Sequence, residues 1–420
     1  MGTPRGMNGI RLAVVNWRDL WHPAAGGAER YAWEVARRLA ARGAQVTYVT
    51  SRGRGQRRRD RVDGVDFVRL GGRFTVYPLV FLWMVACRVL RRRSFDAVID
   101  CQNGIPFFTP WALPRRVAVF CLIHHVHDEQ FGLYFPRWVA WIGRVVEGPV
   151  SRLVYRRHTL VCVSPSTLRA VRERLGRTGV AHIVPNGTTV ARPSGRVQSP
   201  PGDPELVCVT RLVAHKRVER LLGMAEHLLD LHPGLRLNVI GDGPERPALD
   251  AEVARRGLGG VVVFHGFVSE EDKAALVARA DLHLSPSQYE GWGLSVIEAA
   301  ALGVPTVAYN VDGLRDAVRD GTTGWLAADD PDCPGELAEV TARALKELAD
   351  PERRQVIASA CRDWAGLFDW TRTAAEWSRL ITAAVAAAGP APDGTAAVPG
   401  YGDAGPRRVE EAVRDGDVPR

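Results

Sequence analysis

Short apolar runs alternate along this chain with stretches in which apolar residues return every three or four positions. Leu12–Asn16 (LAVVN) is such a run and reads as a strand; the turn-rich segment Trp17–Gly27 follows it. From Glu29 to Arg42, Tyr31, Val35 and Leu39 share one helical face while Arg37, Arg38 and Arg42 lie elsewhere. Gly43 ends that helix and Gln45–Thr50 is the next strand. This is a strand–helix–strand unit, the start of a parallel sheet covered by helices. Further strands are predicted at Ala97–Asp100, Arg116–Ile123, Thr159–Val163 and His182–Val184, with helices between several of them. Residues 1–190 therefore read as one doubly wound α/β domain.

Ala191–Glu205 (ARPSGRVQSPPGDPE) is rich in Pro, Gly and Ser and reads as a linker. The rhythm then restarts. Strands are predicted at Leu206–Thr210, Leu235–Ile240, Val261–His265, Leu282–Pro286 and Thr306–Tyr309. Helices are predicted at Arg217–Asp230, Arg246–Arg256, Glu270–Ala280, Leu294–Leu302 and Leu314–Arg319. Residues 206–370 thus form a second α/β domain, 371–388 a last helix that can pack back on the first domain, and 389–420 a disordered tail poor in apolar anchors. Two such domains predict a two-lobed protein facing a cleft, with ligands beyond the carboxyl ends of the strands.

A length of 420 residues suits two domains, and 46% hydrophobic with 24% charged residues is an ordinary soluble composition able to fill two cores. The net charge of +8 hides an asymmetry: residues 1–190 hold 30 arginines against 12 acidic residues, so the first half carries +18 and the remainder −10. A basic half suits phosphates, an anionic membrane or nucleic acid, and equally a solvated arginine face. Only three basic residues are lysines, Lys216, Lys273 and Lys346, against 52 arginines, so a lysine inside a motif stands out.

Seven scattered cysteines without CxxC pairs argue for reduced thiols in a cytoplasmic protein rather than a disulfide scaffold or zinc site. Met1–Ile10 lacks the pattern of a signal peptide. Val76–Cys87, ending in Arg88 and Arg91-Arg92-Arg93, is too short to span a bilayer. It reads as a buried helix, the alternative being an interfacial helix with basic anchors.

The richest stretch is Ser285–Pro305 (SPSQYEGWGLSVIEAAALGVP). A strand ends, a loop holds Glu290, Gly291, Trp292 and Gly293, and a helix opens at Leu294. Glycines before a helix N-terminus admit close backbone approach, and the unpaired amides there favour phosphate. Glu290 and Glu298, with seven residues between them, flank that anion site, one suited to sugar hydroxyls and the other to a ribose diol. Arg211 and Lys216 follow a strand end on the same edge and bring the cations a diphosphate needs. Gly241, after Val239-Ile240, and Phe267, after His265-Gly266, lie on that edge too, where a nucleobase can rest against backbone.

In the first domain Gly26 and Gly27 precede a helix without forming GxGxxG, so a dinucleotide fingerprint is absent; they can offer amides to phosphate or acceptor. His124, His125 and His127 follow a strand end beside Asp128 and Glu129. Adjacent histidines at strand spacing point apart, and no second ligand cluster accompanies them, so an active-site histidine fits better than a metal, with a plain polar loop as the alternative. The Asp-x-Asp spacings Asp330-Pro-Asp332 and Asp415-Gly-Asp417 fall in a proline-broken loop and in the tail, and read as coincidence.

In this order these residues resemble the family-4 retaining glycosyltransferases of the GT-B fold, over about residues 10–385. The resemblance is carried by Gly26-Gly27, the strand-end histidines, Val161-Cys-Val-Ser164, Val184-Pro-Asn-Gly187, Arg211 with Lys216, Gly241-Asp-Gly-Pro244, and Glu290-Gly-Trp-Gly-Leu294 with Glu298. It implies that Arg211 and Lys216 neutralise a donor diphosphate. Glu290 and the amides of Gly291 to Leu294 would hold the transferred sugar and β-phosphate, and Glu298 the ribose. Gly26 and Gly27 would face donor phosphate or acceptor from the other lobe, and a histidine, His125 before His124, would touch the sugar. It implies a metal-independent transfer of a hexose from a nucleotide diphosphate sugar to a glycan or lipid-linked acceptor, with no cofactor.

The basic half then suits the inner, anionic face of a membrane. An epimerase or phosphorylase on the same fold and a non-catalytic nucleotide or glycan binder are the competing classes. A nucleic-acid partner is not expected, since no recognised motif or interleaved aromatics accompany the arginines.

Overall fold

The computed structural model describes residues 7–22, 25–90, 93–189, 203–330 and 335–388. These divide into two compact units, one comprising residues up to Gly187 together with the chain from Trp370 onward, the other Thr188–Asp369. The division falls ahead of the linker expected at 191–205. Most of that linker, the expected tail at 389–420 and the triplet members Arg91 and Arg92 lie outside the described residues.

The first unit runs β1 (Arg11–Val15), α1 (Gly27–Ala41), β2 (Gln45–Thr50), β3 (Arg59–Val62), β4 (Val65–Arg69), α2 (Val76–Val89), β5 (Ala97–Gln102), α3 (Thr109–Ala112), β6 (Ala118–Ile123), α4 (Asp128–Tyr134) and α5 (Arg137–Val145). A π-helical turn at Val146–Val150 leads into α6 (Ser151–Tyr155), β7 (Thr159–Cys162), α7 (Pro165–Glu173) and β8 (Ala181–Ile183). The sheet order is β3-β4-β2-β1-β5-β6-β7-β8, with every neighbour parallel except β3 against β4. β1, β5 and β6 are almost wholly buried, which is why they read as unbroken apolar runs: helices cover both faces of a parallel sheet.

One face of this sheet carries Ala13, Val15, Val98, Cys121 and Ile123 against Val80 and Met84 of α2, Ala112 of α3 and Val154 of α6. Asp100, buried at the centre of β5, accepts hydrogen bonds from Thr109 Oγ1 (2.7 Å) and Tyr155 Oη, tying α3 and α6 to the strand. The α2 segment is helical but not fully buried. Val76, Val80, Met84 and Cys87 point inward while Leu79, Leu82 and Val89 face out, Leu82 with 60% of its surface exposed. The sequence reading of Val76–Cys87 as a buried helix is corrected on this point, because its apolar residues surround the whole helix and the sheet can cover only one side.

The final helix of the described chain, Trp370–Ala387, packs against α1 and β6 in this first unit. Trp377 is fully buried, donates from Nε1 to Tyr31 Oη at 2.7 Å, and meets Phe120 edge-on; Tyr31 in turn donates to the Val184 carbonyl at 3.0 Å. The six described of the seven cysteines are buried thiols outside any disulfide. Among the described residues no helix is long and apolar enough to cross a membrane.

The second unit has a six-stranded, wholly parallel sheet. Its strands are β9 (Glu205–Val209), β10 (Arg236–Ile240), β11 (Val262–Gly266), β12 (Leu282–Ser285), β13 (Thr306–Tyr309) and β14 (Gly324–Ala327), in the order β11-β10-β9-β12-β13-β14. The chain works outward from β9 in one direction, then returns to its other side with β12. The carboxyl ends of β9 and β12 therefore flank the switch point of the sheet, the place where open α/β sheets bind ligands.

Trp377→Ala removes a large buried ring and leaves the Tyr31 hydroxyl short of a donor. A loss of about 3–5 kcal/mol in urea unfolding is expected. A loss under about 1 kcal/mol would show that the last helix does not stabilise the first unit.

Candidate active site

The loop after β9 and the loop after β12 meet at the switch point. Residues 214–216 form one 3₁₀ turn, and the Gln288 amide donates to the His215 carbonyl at 2.9 Å. The His215 ring stacks on Tyr289 with centroids 5.0 Å apart. Lys216 Nζ donates to Glu290 Oε1, and Ser287 Oγ donates to the same oxygen at 2.9 Å. Burial pushes the Glu290 carboxyl up, but the Lys216 ammonium and the Ser287 hydroxyl outweigh it, and the group lies below its ordinary value. Glu290 is therefore a carboxylate at neutral pH, held at a fixed position.

Arg217 fixes the turn from the other side. It is one of three described non-glycine residues with positive φ, at +49°, a conformation that costs of order 1 kcal/mol or more and persists where surroundings enforce it. Its guanidinium grips Asp329 with two bonds of 2.8 and 2.9 Å, lies over the Tyr309 ring and donates to the Pro286 carbonyl. Gly313, at φ +79°, supports the Glu290 backbone: a Cβ there would sit 2.2 Å from the Glu290 carbonyl, and the Glu290 amide donates to Asp312 at 3.0 Å.

The helix that opens this loop is Leu294–Ala301, with Gly293 as its N-cap in the left-handed conformation at φ +81°. Trp292 is buried, its ring edge-on to Phe368 at 4.8 Å, so the indole anchors the loop. Glu298 lies on the same helix and receives Lys273 Nζ at Oε2, 3.1 Å away. Lys273 belongs to the helix Glu270–Arg279, which begins just after Phe267, a ring with 78% of its surface exposed.

Arg211 is exposed at the end of β9. Its segment is laced to the Gly241 turn: Leu212 donates to the Asp242 carbonyl and Glu245 to the Leu212 carbonyl. A Cβ at Gly241 would stand 2.0 Å from the Thr210 carbonyl, so the glycine there serves this internal approach. The second unit thus brings Arg211, Lys216, Glu290, Gly291, Gly293, Leu294 and Glu298 onto one sheet edge, with Gly241 bracing it. Ser287, Arg217 and Lys273 join them without having been singled out from sequence. Lys273 alone carried a signal, its rarity.

The other candidates belong to the first unit. The Gly26 amide donates to Glu29 Oε2 at 2.7 Å and so closes its own helix start. Gly27 is the first residue of α1 and has open space where a Cβ would lie. His124 is buried, edge-on to Tyr31 at 5.1 Å, and burial, reinforced by its histidine neighbours, pushes its imidazole down to about 3. The half-buried His125 stacks on His127 with centroids 3.9 Å apart. Behind them lies Glu147, a residue with no sequence signal, buried in the π-turn. It accepts from the His127 amide at 2.8 Å, and its Oε1 lies 3.4 Å from His127 Nδ1. Burial drives the Glu147 carboxyl up to about 8 and the His127 imidazole down to about 4, so this pair is neutral at neutral pH.

Among the described residues no group of three or more His, Cys, Asp or Glu side chains is placed to hold a metal ion. The Asp-x-Asp spacings reach outside the described residues at Asp332 and at Asp415-Gly-Asp417.

Two parallel-sheet α/β units, one with an anion-suited helix start flanked by paired carboxylates and cations at its switch point, define a protein of the GT-B class. Comparison with known proteins agrees. Residues 25–192 match the family described as Glycosyltransferase Family 4, and residues 194–364 match Glycosyl transferases group 1. The chain is 33% identical over 297 residues to alpha-D-kanosaminyltransferase of Streptomyces kanamyceticus, covering 66% of this chain and 74% of that protein. It is 31% identical over 268 residues to glycogen synthase of Mycobacterium tuberculosis; the match covers 63% of each, less than two thirds of that relative's length. The sucrose-phosphate synthase structure from Thermosynechococcus elongatus shares the fold, with a TM-score of 0.75 at 21% identity over 90% of this chain and 100% of that one. The chain belongs to the family-4 glycosyltransferases of the GT-B fold.

The Glu147 shift gives a pH test. Its folded-state value lies above that of the unfolded chain, so its contribution to stability is complete below the ordinary carboxylate range and is lost as pH rises through about 8. Glu147→Gln cannot ionise. The stability difference between wild type and this variant, from urea unfolding, is expected to move in the variant's favour between about pH 5 and about pH 8.5. An unchanged difference would mean that Glu147 is ionised in the fold.

Proposed function

We propose that this chain is a retaining, metal-independent hexosyltransferase that uses a nucleotide diphosphate sugar and a glycan or lipid-linked acceptor. The observation that carries the reading is the Lys216–Glu290–Ser287 set fixed beside the start of the Leu294–Ala301 helix, at the switch point of the second sheet. A leaving nucleoside diphosphate gains negative charge as the bond from the sugar anomeric carbon to the phosphate oxygen breaks. Arg211, Lys216 and the amides at that helix start supply fixed positive charge where this develops, so the protein's own cations can do the work otherwise given to a divalent metal.

Glu290, held ionised by Lys216, suits hydroxyl groups of the transferred sugar, and Glu298 the ribose. The acceptor hydroxyl attacks from the face the phosphate leaves, its proton passes to the departing phosphate oxygen, and the anomeric configuration is kept. In the first unit His124 is turned into the core, which leaves the half-buried His125 as the strand-end histidine suited to a ligand. Trp292 contributes its backbone, and Phe267 a face for the base.

The experiment is calorimetric titration of UDP, GDP and ADP in EDTA. One of them is expected to bind without divalent metal, and Glu298→Ala to weaken it. Lys216→Ala is expected to lower transfer by on the order of 10²-fold or more. A loss under about threefold would remove Lys216 from the mechanism, and binding that requires Mg²⁺ would remove metal independence.

We also propose that the first unit docks on the anionic inner face of a membrane. Support comes from the outward apolar side of α2 at Leu79, Leu82 and Val89, the exposed Trp138 and Trp141 on α5, and the surplus of arginine in this half of the chain. The protein should co-sediment with phosphatidylglycerol vesicles more than with phosphatidylcholine vesicles, and Leu82→Glu should weaken that binding severalfold. Equal partitioning between the two lipids would sink the proposal.

A further inference from the structure

Lysine is so rare in this chain that its placement is informative. Of three lysines among 55 basic residues, one stands on each carboxylate of the helix-start motif: Lys216 on Glu290 and Lys273 on Glu298. Lys273 lies on the helix Glu270–Arg279, whose N-terminus is fixed by Ser269, accepting from the Asp272 amide at 3.0 Å. Its ammonium bonds Glu270 Oε2 at 2.8 Å and Glu298 Oε2 at 3.1 Å. The Lys273 and Glu298 side chains are 17% and 12% exposed, and with Ser295, Val209 and Leu302 they line a depression in the second unit. The pair is therefore a partly desolvated contact between two helices, unlike the freely solvated pairs that contribute little.

A carboxylate that receives a ribose diol faces two demands. It must hold one rotamer, since a free glutamate side chain loses conformational entropy on being fixed. It must also remain an acceptor for two hydroxyls. An arginine fork satisfies the first and opposes the second, because it engages both carboxylate oxygens side by side; a lysine ammonium is a point charge that engages one. With 52 arginines elsewhere in the chain, lysine at this position suits the second demand.

We propose that Lys273 is the positioning residue that presents Glu298 to the ribose diol, and that this contact underlies a preference of the site for ribonucleotides over 2′-deoxyribonucleotides. This rests on the donor-site reading of Glu298 given above.

The test is calorimetric titration of full-length wild type, Lys273→Met and Lys273→Arg with UDP, GDP and ADP, each paired with its 2′-deoxy form. Thermal melts establish that each variant is folded, and Lys273→Gln replaces Lys273→Met if the latter is not. Wild type is expected to bind one ribonucleoside diphosphate about tenfold or more tighter than its deoxy form, the scale of one charge-assisted hydrogen bond. Both variants should bring that ratio below about threefold, with affinity for the deoxy form changed by less than about threefold. A residue that merely stabilised the helix pair would lower both affinities and leave the ratio intact. Retention of the wild-type ratio by either variant overturns the proposal, as does the absence of any ribose preference in a wild type that binds nucleotide. If wild type binds none of the six nucleotides, the donor-site reading itself fails and the proposal falls with it.

Discussion

Lys216 and Glu290 are 74 residues apart in sequence, and their ion pair joins the two loops that flank the switch point of the second sheet. Much of the site geometry depends on that contact. It stands beside the Gln288–His215 backbone bond, the His215–Tyr289 stack and the Ser287 bond to the same carboxylate oxygen. A carboxylate this enclosed would be driven toward its neutral form without a cation beside it. The ammonium keeps it charged, and the charge keeps the ammonium in place. The strained Arg217 backbone is the consequence one residue further on: the chain must leave the 3₁₀ turn sharply enough to begin the next helix, and the Asp329 and Tyr309 contacts hold it there.

Much of this was legible in the sequence because parallel strands buried on both faces cannot hide: LAVVN at β1 and the run ending at Ile123 need apolar residues at nearly every position. The Glu290–Glu298 spacing was legible for a related reason, since a glycine loop running into an apolar helix fixes both carboxylates to one helix start. The β3–β4 hairpin was missed although Asp63-Gly64, both with positive φ, is a strong two-residue turn signal. Its first strand, RDRV, is an edge strand with three exposed residues, so it carries no apolar pattern to find. The elements after Arg319, β14 and the helices Glu336–Leu348 and Pro351–Ala365, also went unread.

What sequence could not supply were partners set by tertiary packing. Glu147 sits in a π-turn among Val146, Gly148 and Pro149, and nothing local marks it as buried. Nothing local marks Glu29 as the cap of its own helix start; in the fold that carboxylate is buried, receives the Gly26 amide and also pairs with Arg18. The histidine ambiguity was of the same kind. Alternation along a strand end says that neighbours point apart, and only the position of Tyr31 on α1 decides that His124 is the one turned into the core.

The two glutamates that burial treats most differently show how one residue type is set to opposite states. Glu147 and Glu290 are both enclosed carboxyls near strand ends of their own units. Desolvation is the largest influence on each and pushes each up. At Glu147 the opposing help is one backbone amide and the field of Arg174, a guanidinium already paired with Asp128, while the adjacent imidazole is itself pushed toward neutrality, so desolvation prevails and the acid stays protonated near neutral pH. At Glu290 a lysine and a hydroxyl converge on a single oxygen and reverse the sign. A neutral acid that bonds a loop amide serves to hold a backbone in place. A carboxylate with a bound cation beside a helix start can meet the hydroxyls and phosphates of a ligand without either charge having to be created when the ligand arrives, and fixed, pre-existing charge is what stabilises a developing anion most effectively. The same physics of burial therefore yields a neutral acid in one unit and a fixed carboxylate at the switch point of the other, and the difference lies in whether the fold brings a cation into direct contact.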